Sequence, residues 1–388
     1  MLLSLAVYTG MALLLAGLGW HVSDREQRRL ARGGAELPFC SWEILAAIIL
    51  YVAVSSVRWL TSWDYNMYYN YYVSMQSLGE YSRENFEPLF SLITVGMARA
   101  GFHFSIYFAF WAIVQVTLLY YALRHRKALL PWLALCVFLG PYYIFWMGFI
   151  RQSVVECLFV VMVELILRRK FWIYLLFSVV AVAIHRMCIL FIPLYFVPLI
   201  PVPKKEVRWI SCALIAVCFV LGSFPQWLRV MFDHIGQFAQ VMGYGHYHRL
   251  FMSNELEYAF RGVMGPSRLC PLMSLLIIIW YYPAMKQTTF ANDSRWLSAT
   301  YRFTLLYMCY INLLANTTQY LTRPGELMRA CFVVMLCCVM HHLWRQRKWL
   351  PLAVLLFCNC YYVYYEIVKA ALYKGSIYMP ELYHTFLF

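Results

Sequence analysis

The sequence predicts an all-α fold, a polytopic integral membrane protein of about twelve spanning helices with one re-entrant or interfacial helix near 88–104. Three observations predict it. The 388-residue chain is 63% hydrophobic and only 13% charged, a balance that soluble domains do not show. Its apolar residues gather into successive runs of roughly 16 to 20, close to the ~20 needed to cross a ~30 Å hydrocarbon core. The runs are continuous rather than alternating, which excludes a closed β-barrel and leaves helices to satisfy the backbone polar groups in lipid.

Taken in order, the first element is "MLLSLAVYTGMALLLAGLGW". It has no basic residue ahead of its apolar stretch, so it reads as a retained first span rather than a cleaved signal peptide. The loop that follows carries Arg25, Arg28, Arg29 and Arg32 against three acids, and this excess of arginine assigns it to the cytoplasm. Basic blocks at 124–127, 168–170, 203–208, 286–295 and 341–349 are assigned to the same side. The net charge of +14 is therefore a topology signal and not a nucleic-acid surface.

Spans consistent with these anchors run at 1–20, 41–57, 105–123, 128–147, 149–167, 171–185, 187–202, 208–223, 268–283, 300–318, 326–343 and 349–366. If "EPLFSLITVGMARAGFHF" crossed as well, every later basic block would turn outward. It is read instead as a re-entrant or interfacial helix, which survives only if packed in protein or lining a wet cavity. Two long outward loops, 58–87 and 224–267, remain within a single domain covering 1–388. Most of the thirteen cysteines lie in apolar runs and read as small buried hydrophobes, not as a disulfide framework or a metal site.

The costly residues of this topology are Asp64, Glu87, Arg151, His185, Arg186 and Arg323. All fall at or near the outward ends of spans, away from the basic face, so they are expected to share one outward cavity. Each has a plain alternative, because an arginine near a helix end can snorkel to the interface. Arg151 and Gln152 follow the helix-weakening "GPYY" and the glycine of "WMGF", so the pair is expected to open a helix. A guanidinium there can grip phosphate oxygens with two parallel hydrogen bonds, helped by the helix N-terminus; otherwise it pairs with Glu156. His185 and Arg186 form a second polar dipeptide at a span junction, where a histidine can take a proton from a sugar hydroxyl or simply pack. In "TRPGELMRACF", Arg323 either reaches an outer vestibule or pairs with Glu326. The aromatic stretch "TSWDYNMYYNYY" suits a glycan and equally suits a headgroup belt. "HYH" and "HH" lack third and fourth ligands for zinc, and no P-loop, dinucleotide fingerprint or GxSxG elbow is present.

In sequence order, "TSWDYNMYY", "FEPLF", "GFIRQS", "AIHRM" and "TRPGELMRACF" resemble the EpsG-like family of bacterial polysaccharide polymerases, relatives of the Wzy repeat-unit polymerases. The resemblance covers about 58–335 and rests on Asp64 with Tyr65, Glu87 with Pro88, Ile150 with Arg151 and Gln152, His185, and Arg323 or Arg329. Two positions depart from the pattern, Trp63 where a small residue precedes Asp-Tyr, and Arg186 where serine follows the histidine. The resemblance implies a metal-independent, cofactor-free glycosyltransferase of the bacterial inner membrane, its site facing the periplasm or cell exterior. It would join polyprenyl-diphosphate-linked oligosaccharide repeats, held in membrane lipid, into an O-antigen, capsule or exopolysaccharide. A chain-length regulator and a flippase would be its partners. The implied roles are diphosphate binding by Arg151 and Arg323 with Arg186 assisting, proton removal by Asp64 or His185, and orientation of loop or sugar by Glu87. Gln152, Tyr65 and Arg329 complete the binding set. Two other functions suit a chain of this kind: a polyprenyl-phosphate-sugar glycosyltransferase, against which the lone Asp64 argues, and a flippase or transporter of lipid-linked sugar.

Overall fold

The computed structural model describes residues 1–62, 64–77, 86–200, 207–224, 265–316, 319–372 and 382–387. Among these the chain is helical, and its only extended pairing is an isolated antiparallel bridge between Arg58 and Thr385. Most of the expected outer loop 224–267 lies outside the described residues.

Helix α1 (Leu2–Ala31) continues past the expected end of the first span. At 1.5 Å per residue it is about 45 Å long, so it carries its basic C-terminal turns well clear of a ~30 Å core. It packs along α6 (Leu130–Leu139), and a Cβ on Gly19 would stand 2.7 Å from the Pro131 nitrogen. Only glycine permits that approach. Buried Lys127 donates to Glu26 at 2.6 Å and to the Arg124 carbonyl at 2.7 Å, and Arg126 pairs with Asp293. The block "RHRK" is thus an internal tie as well as a run of basic residues.

Next come α2 (Trp42–Ser56), α3 (Tyr65–Ser77), α4 (Pro88–Arg99) and α5 (Phe104–Ala122). Helix α3 occupies what the sequence suggested was a loop. Its buried face of Tyr65, Tyr68, Tyr71, Tyr72 and Met75 has helical spacing, but it is built from tyrosines and therefore lacks an apolar signature. The 12 residues of α4 span about 18 Å, short of a crossing. This helix packs between α3 and α9 (Phe171–Ile184).

Two breaks follow α5. The chain bends by 69° between α6 and α7 (Tyr142–Gly148), where Pro141 enters, and breaks again at Phe149 before α8 (Ile150–Leu167). After α9 the expected continuous span 187–202 is instead a 3-10 turn (Arg186–Leu190), the four-residue α10 (Phe191–Leu194) and a second 3-10 turn (Val197–Leu199). Pro193 and Pro198 interrupt it by removing backbone donors and clashing with the preceding turn.

The remaining helices are α11 (Val207–Ser223), α12 (Pro266–Gln287), α13 (Ser294–Leu313), α14 (Gln319–Glu326), α15 (Arg329–Arg345) and α16 (Trp349–Leu372). Helix α15 is buried along nearly its whole length and packs against α6, α8, α12, α13 and α16, so the core is organised around it. The tail then returns to the α2–α3 connection. Trp59 donates to the His384 carbonyl at 2.8 Å, and the Tyr383 hydroxyl to the Val54 carbonyl at 2.8 Å.

Of the twelve expected spans, four described helices are long and apolar enough to cross: α1, α5, Arg268–Gln287 within α12, and α16. The bent pair α6–α7 would add a fifth. The other expected spans are short or broken, or carry charge along their length; α8 alone holds Arg151, Glu156 and Glu164. All thirteen cysteines are free, most of them buried, with Cys40 exposed.

Candidate functional site

The break at Phe149 puts Arg151 and Gln152 in the first turn of α8. Successive helical residues diverge by about 100°, so the two side chains enter different surroundings. Each becomes part of a separate polar cluster.

The first cluster forms around Glu87. This residue caps α4 directly before Pro88, whose fixed backbone suits a first helical position, and α4 lies against α9 so that the carboxylate meets the end of that helix. Arg151 Nη1 donates to Oε2 of Glu87, while the backbone N–H of Arg186 donates to Oε1 at 3.1 Å. His185 Nδ1 stands 3.6 Å from the same Oε1, beyond hydrogen-bonding distance. Arg151 Nε also donates to the Tyr68 hydroxyl at 3.4 Å, and the guanidinium lies 4.8 Å over the Phe86 ring. Glu156 is therefore not the partner of Arg151. Burial opposes the charge of Glu87, but His185, the Arg151 guanidinium and the Arg186 amide outweigh it and hold the carboxyl at about 2. Burial pushes His185 below its usual value, against the pull of Glu87 and with the Arg151 and Arg323 charges adding to the depression. Both ring nitrogens of His185 are buried without a hydrogen-bond partner among the described residues.

The second cluster forms around Glu156, one turn beyond Gln152 and on the same helix face. Gln152 Nε2 donates to Glu156 Oε1 at 3.0 Å, and Trp146 Nε1 donates to Oε2 at 2.9 Å. Arg329, at the start of α15, stands 3.8 Å from Glu156 and pairs directly with Glu326 at the end of α14. The Tyr307 hydroxyl donates to Glu326 at 3.4 Å. Glu326 is thus paired with Arg329 across the α14–α15 junction rather than with Arg323.

The other predicted residues lie at varying distances from these clusters. Asp64 occupies the turn before α3, accepts the Tyr68 backbone N–H at 3.2 Å, and acts electrostatically on the Tyr68 hydroxyl that Arg151 touches. Arg323 lies 5.8 Å over the ring of Phe149, and Arg329 lies 4.9 Å over that of Phe145, so the two arginines flank consecutive turns of the α7–α8 break. The Arg186 side chain is exposed. Tyr65 is fully buried, stacked 5.0 Å from Phe108 and 6.0 Å from Tyr69. It sits in the aromatic core, on the same buried face of α3 as Tyr68.

Sequence reasoning missed Tyr68, Trp146 and Tyr307. Tyr68 was within reach of it, being four residues after Asp64 on a helix, whereas the other two become site residues only through packing. A cavity of about 200 Å³ adjoins the second cluster, with Glu326, Arg329, Phe145 and Tyr307 on its wall. A larger one of about 410 Å³ lies elsewhere, lined by Arg169, Lys286 and Arg295 from the basic blocks, by Arg302, and by no predicted site residue.

Residues 42–379 match the family model described as the EpsG family. No curated protein and no solved structure matches the chain.

Proposed function

We infer function from the premise that the chain belongs to the EpsG family, a family of Wzy-like polysaccharide polymerases. It is a membrane-embedded enzyme of polysaccharide polymerisation, and its substrates are lipid-linked oligosaccharides. We propose further that it joins polyprenyl-diphosphate-linked repeats at the outer face of the bacterial inner membrane, building an O-antigen, capsule or exopolysaccharide. The acceptor hydroxyl oxygen attacks the anomeric carbon of the donor glycan. The anomeric carbon–oxygen bond to the diphosphate breaks, its electron pair leaves with the lipid diphosphate, and the hydroxyl proton passes to a base.

The observation that carries this proposal is the convergence on Glu87 of Arg151, from the α7–α8 break, and the His185–Arg186 dipeptide, from the end of α9, with Arg323 over the Phe149 ring at the same α7–α8 break. Charge develops on the diphosphate as it leaves, and fixed guanidinium groups in a low-dielectric site stabilise it without reorganising. Arg151 and Arg323 grip the diphosphate and Arg186 assists. His185, whose two ring nitrogens are buried with no hydrogen-bond partner among the described residues, takes the proton, while Asp64 acts through Tyr68 on the orientation of Arg151. Glu87 positions Arg151 and the His185 turn together.

Alanine at Arg151, and separately at Arg323, is expected to replace the polymer ladder by single repeats in cells with normal protein levels. An unchanged ladder in both would sink the role assignment. Purified protein offered a lipid-diphosphate repeat or a lipid-monophosphate sugar should consume only the first. Consumption of the second would make the protein a glycosyltransferase of the other kind, and consumption of neither, with single repeats trapped inside the cell on deletion, a flippase.

A further inference from the structure

The 200 Å³ cavity beside the second cluster has unsatisfied polar atoms on several walls. Nε and Nη1 of Arg268, Nε of Arg329, Oδ1 of Asn312 and Oδ1 of Asn359 are buried with no hydrogen-bond partner among the described residues. In three of these side chains the other polar atoms are held. Arg268 Nη2 donates to the carbonyls of Phe219 at 2.9 Å and Asn312 at 3.3 Å. Asn312 Nδ2 donates to the Met308 carbonyl at 2.8 Å. Asn359 Nδ2 donates to the carbonyls of Leu135 at 3.4 Å and Cys136 at 3.3 Å. Those carbonyls also fix the amide orientations, because flipping either amide would set oxygen against oxygen.

The side chains that line the cavity therefore hold unmade donors from two arginines and unmade acceptors from two asparagines. Buried groups of this kind are costly to leave unmade, and native interiors rarely keep several together unless something polar fills the space. A phosphate has acceptors only and would face two amide oxygens. A bare cation has no acceptors and would face two guanidinium groups. A hydroxyl-rich ring supplies both, and the rings of Tyr142, Phe145 and Phe332 on the same wall give flat apolar faces against which the C–H face of a pyranose packs.

We propose that this cavity is a subsite for one sugar ring of the lipid-linked glycan, read by Arg268, Asn312 and Asn359. The proposal rests on the polymerase reading for its ligand and assigns three residues that the sequence did not mark. Arg329 joins the subsite to the first turn of α15, so a sugar held here would lie next to the Glu156–Arg329–Glu326 cluster.

The test uses full-length protein in nanodiscs and a panel of methyl glycosides, neutral, N-acetylated and uronic, with binding followed by saturation-transfer NMR. At least one glycoside is expected to bind saturably, and Arg268→Met and Asn312→Leu are each expected to weaken it about tenfold or more. A uronide preference that Arg268→Gln abolishes would place an acidic substituent on Arg268; equal binding of neutral sugars would place a hydroxyl there. Arg268→Lys, which keeps the charge and loses the fork, guards against misfolding and should also weaken binding while the unfolding midpoint stays near wild type. No saturable binding by any glycoside, or binding that none of these variants alters, would overturn the proposal and leave the cavity to water. The polymer ladder is scored separately in cells. An intact ladder in a strain lacking the protein, beside variant-sensitive glycoside binding, would remove the polymerase reading and leave the subsite standing.

Discussion

At the scale of single residues, the adjacent pair Arg151 and Gln152 shows how helix geometry divides neighbouring side chains between two clusters. Arg151 is tied to Glu87, which also accepts from the Arg186 amide, so Arg151→Lys should not restore function: an ammonium is a point charge without the planar fork. The ladder should be shortened nearly as much as in Arg151→Ala, which a glycan gel would show. The Glu87 contribution has a defined pH window. Its carboxyl drops from an ordinary 4.5 to about 2 on folding, so the stabilisation is complete above about pH 4.5 and is lost as pH falls toward 2. The difference in unfolding midpoint between wild type and Glu87→Gln should be constant above that window and shrink within it. The second cluster behaves differently, because one guanidinium serves two carboxylates. Arg329→Met leaves buried Glu156 facing Glu326 and should cost about 3–5 kcal/mol, measurable as a lowered midpoint in detergent. The candidate residues were legible in the sequence, but their pairings were not: Arg151 meets Glu87 at the cap of α4 rather than Glu156 on its own helix, and Glu326, three residues from both Arg323 and Arg329, pairs with Arg329.

At the scale of elements, the break before Arg151 falls where the sequence put it, at Gly148–Phe149. The expected span 128–147 is instead divided at Pro141 into α6 and α7, and the expected span 187–202 is broken at Pro193 and Pro198. Helix α3 was hidden because period 3.6 was searched for in aliphatic residues, while its buried stripe is tyrosine. Close packing between elements yields its own expectation. Gly19→Val would force α1 from the Leu130–Pro131 backbone, and overpacking of this sort costs about 1–3 kcal/mol. Lys127→Met, at the same α1–α6 junction, would strand the Glu26 carboxylate and should lower the unfolding midpoint further.

At the scale of the whole molecule, α15 is the buried axis and the tail is the closing strap. Residues 382–387 join the 57–61 segment through the Arg58–Thr385 bridge and the Trp59 N–H to His384 carbonyl bond, and the same segment holds Arg58, which donates to the Met147 carbonyl at 3.2 Å at the end of α7. Deleting 382–388 should therefore loosen the support of the α7–α8 break, seen as faster proteolysis near 57–61 and a shortened ladder. By itself the sequence determined the all-helical membrane class, the break before Arg151 and the residues that carry the family pattern. Hydropathy and backbone-breaking residues act locally, and local physics is readable along a chain. The tertiary structure alone decided which carboxylate meets which guanidinium, that Tyr65 belongs to the core, and that Arg268, Asn312 and Asn359 face one cavity. Those outcomes depend on contacts between helices distant in sequence, where geometry, not residue type, selects the partner.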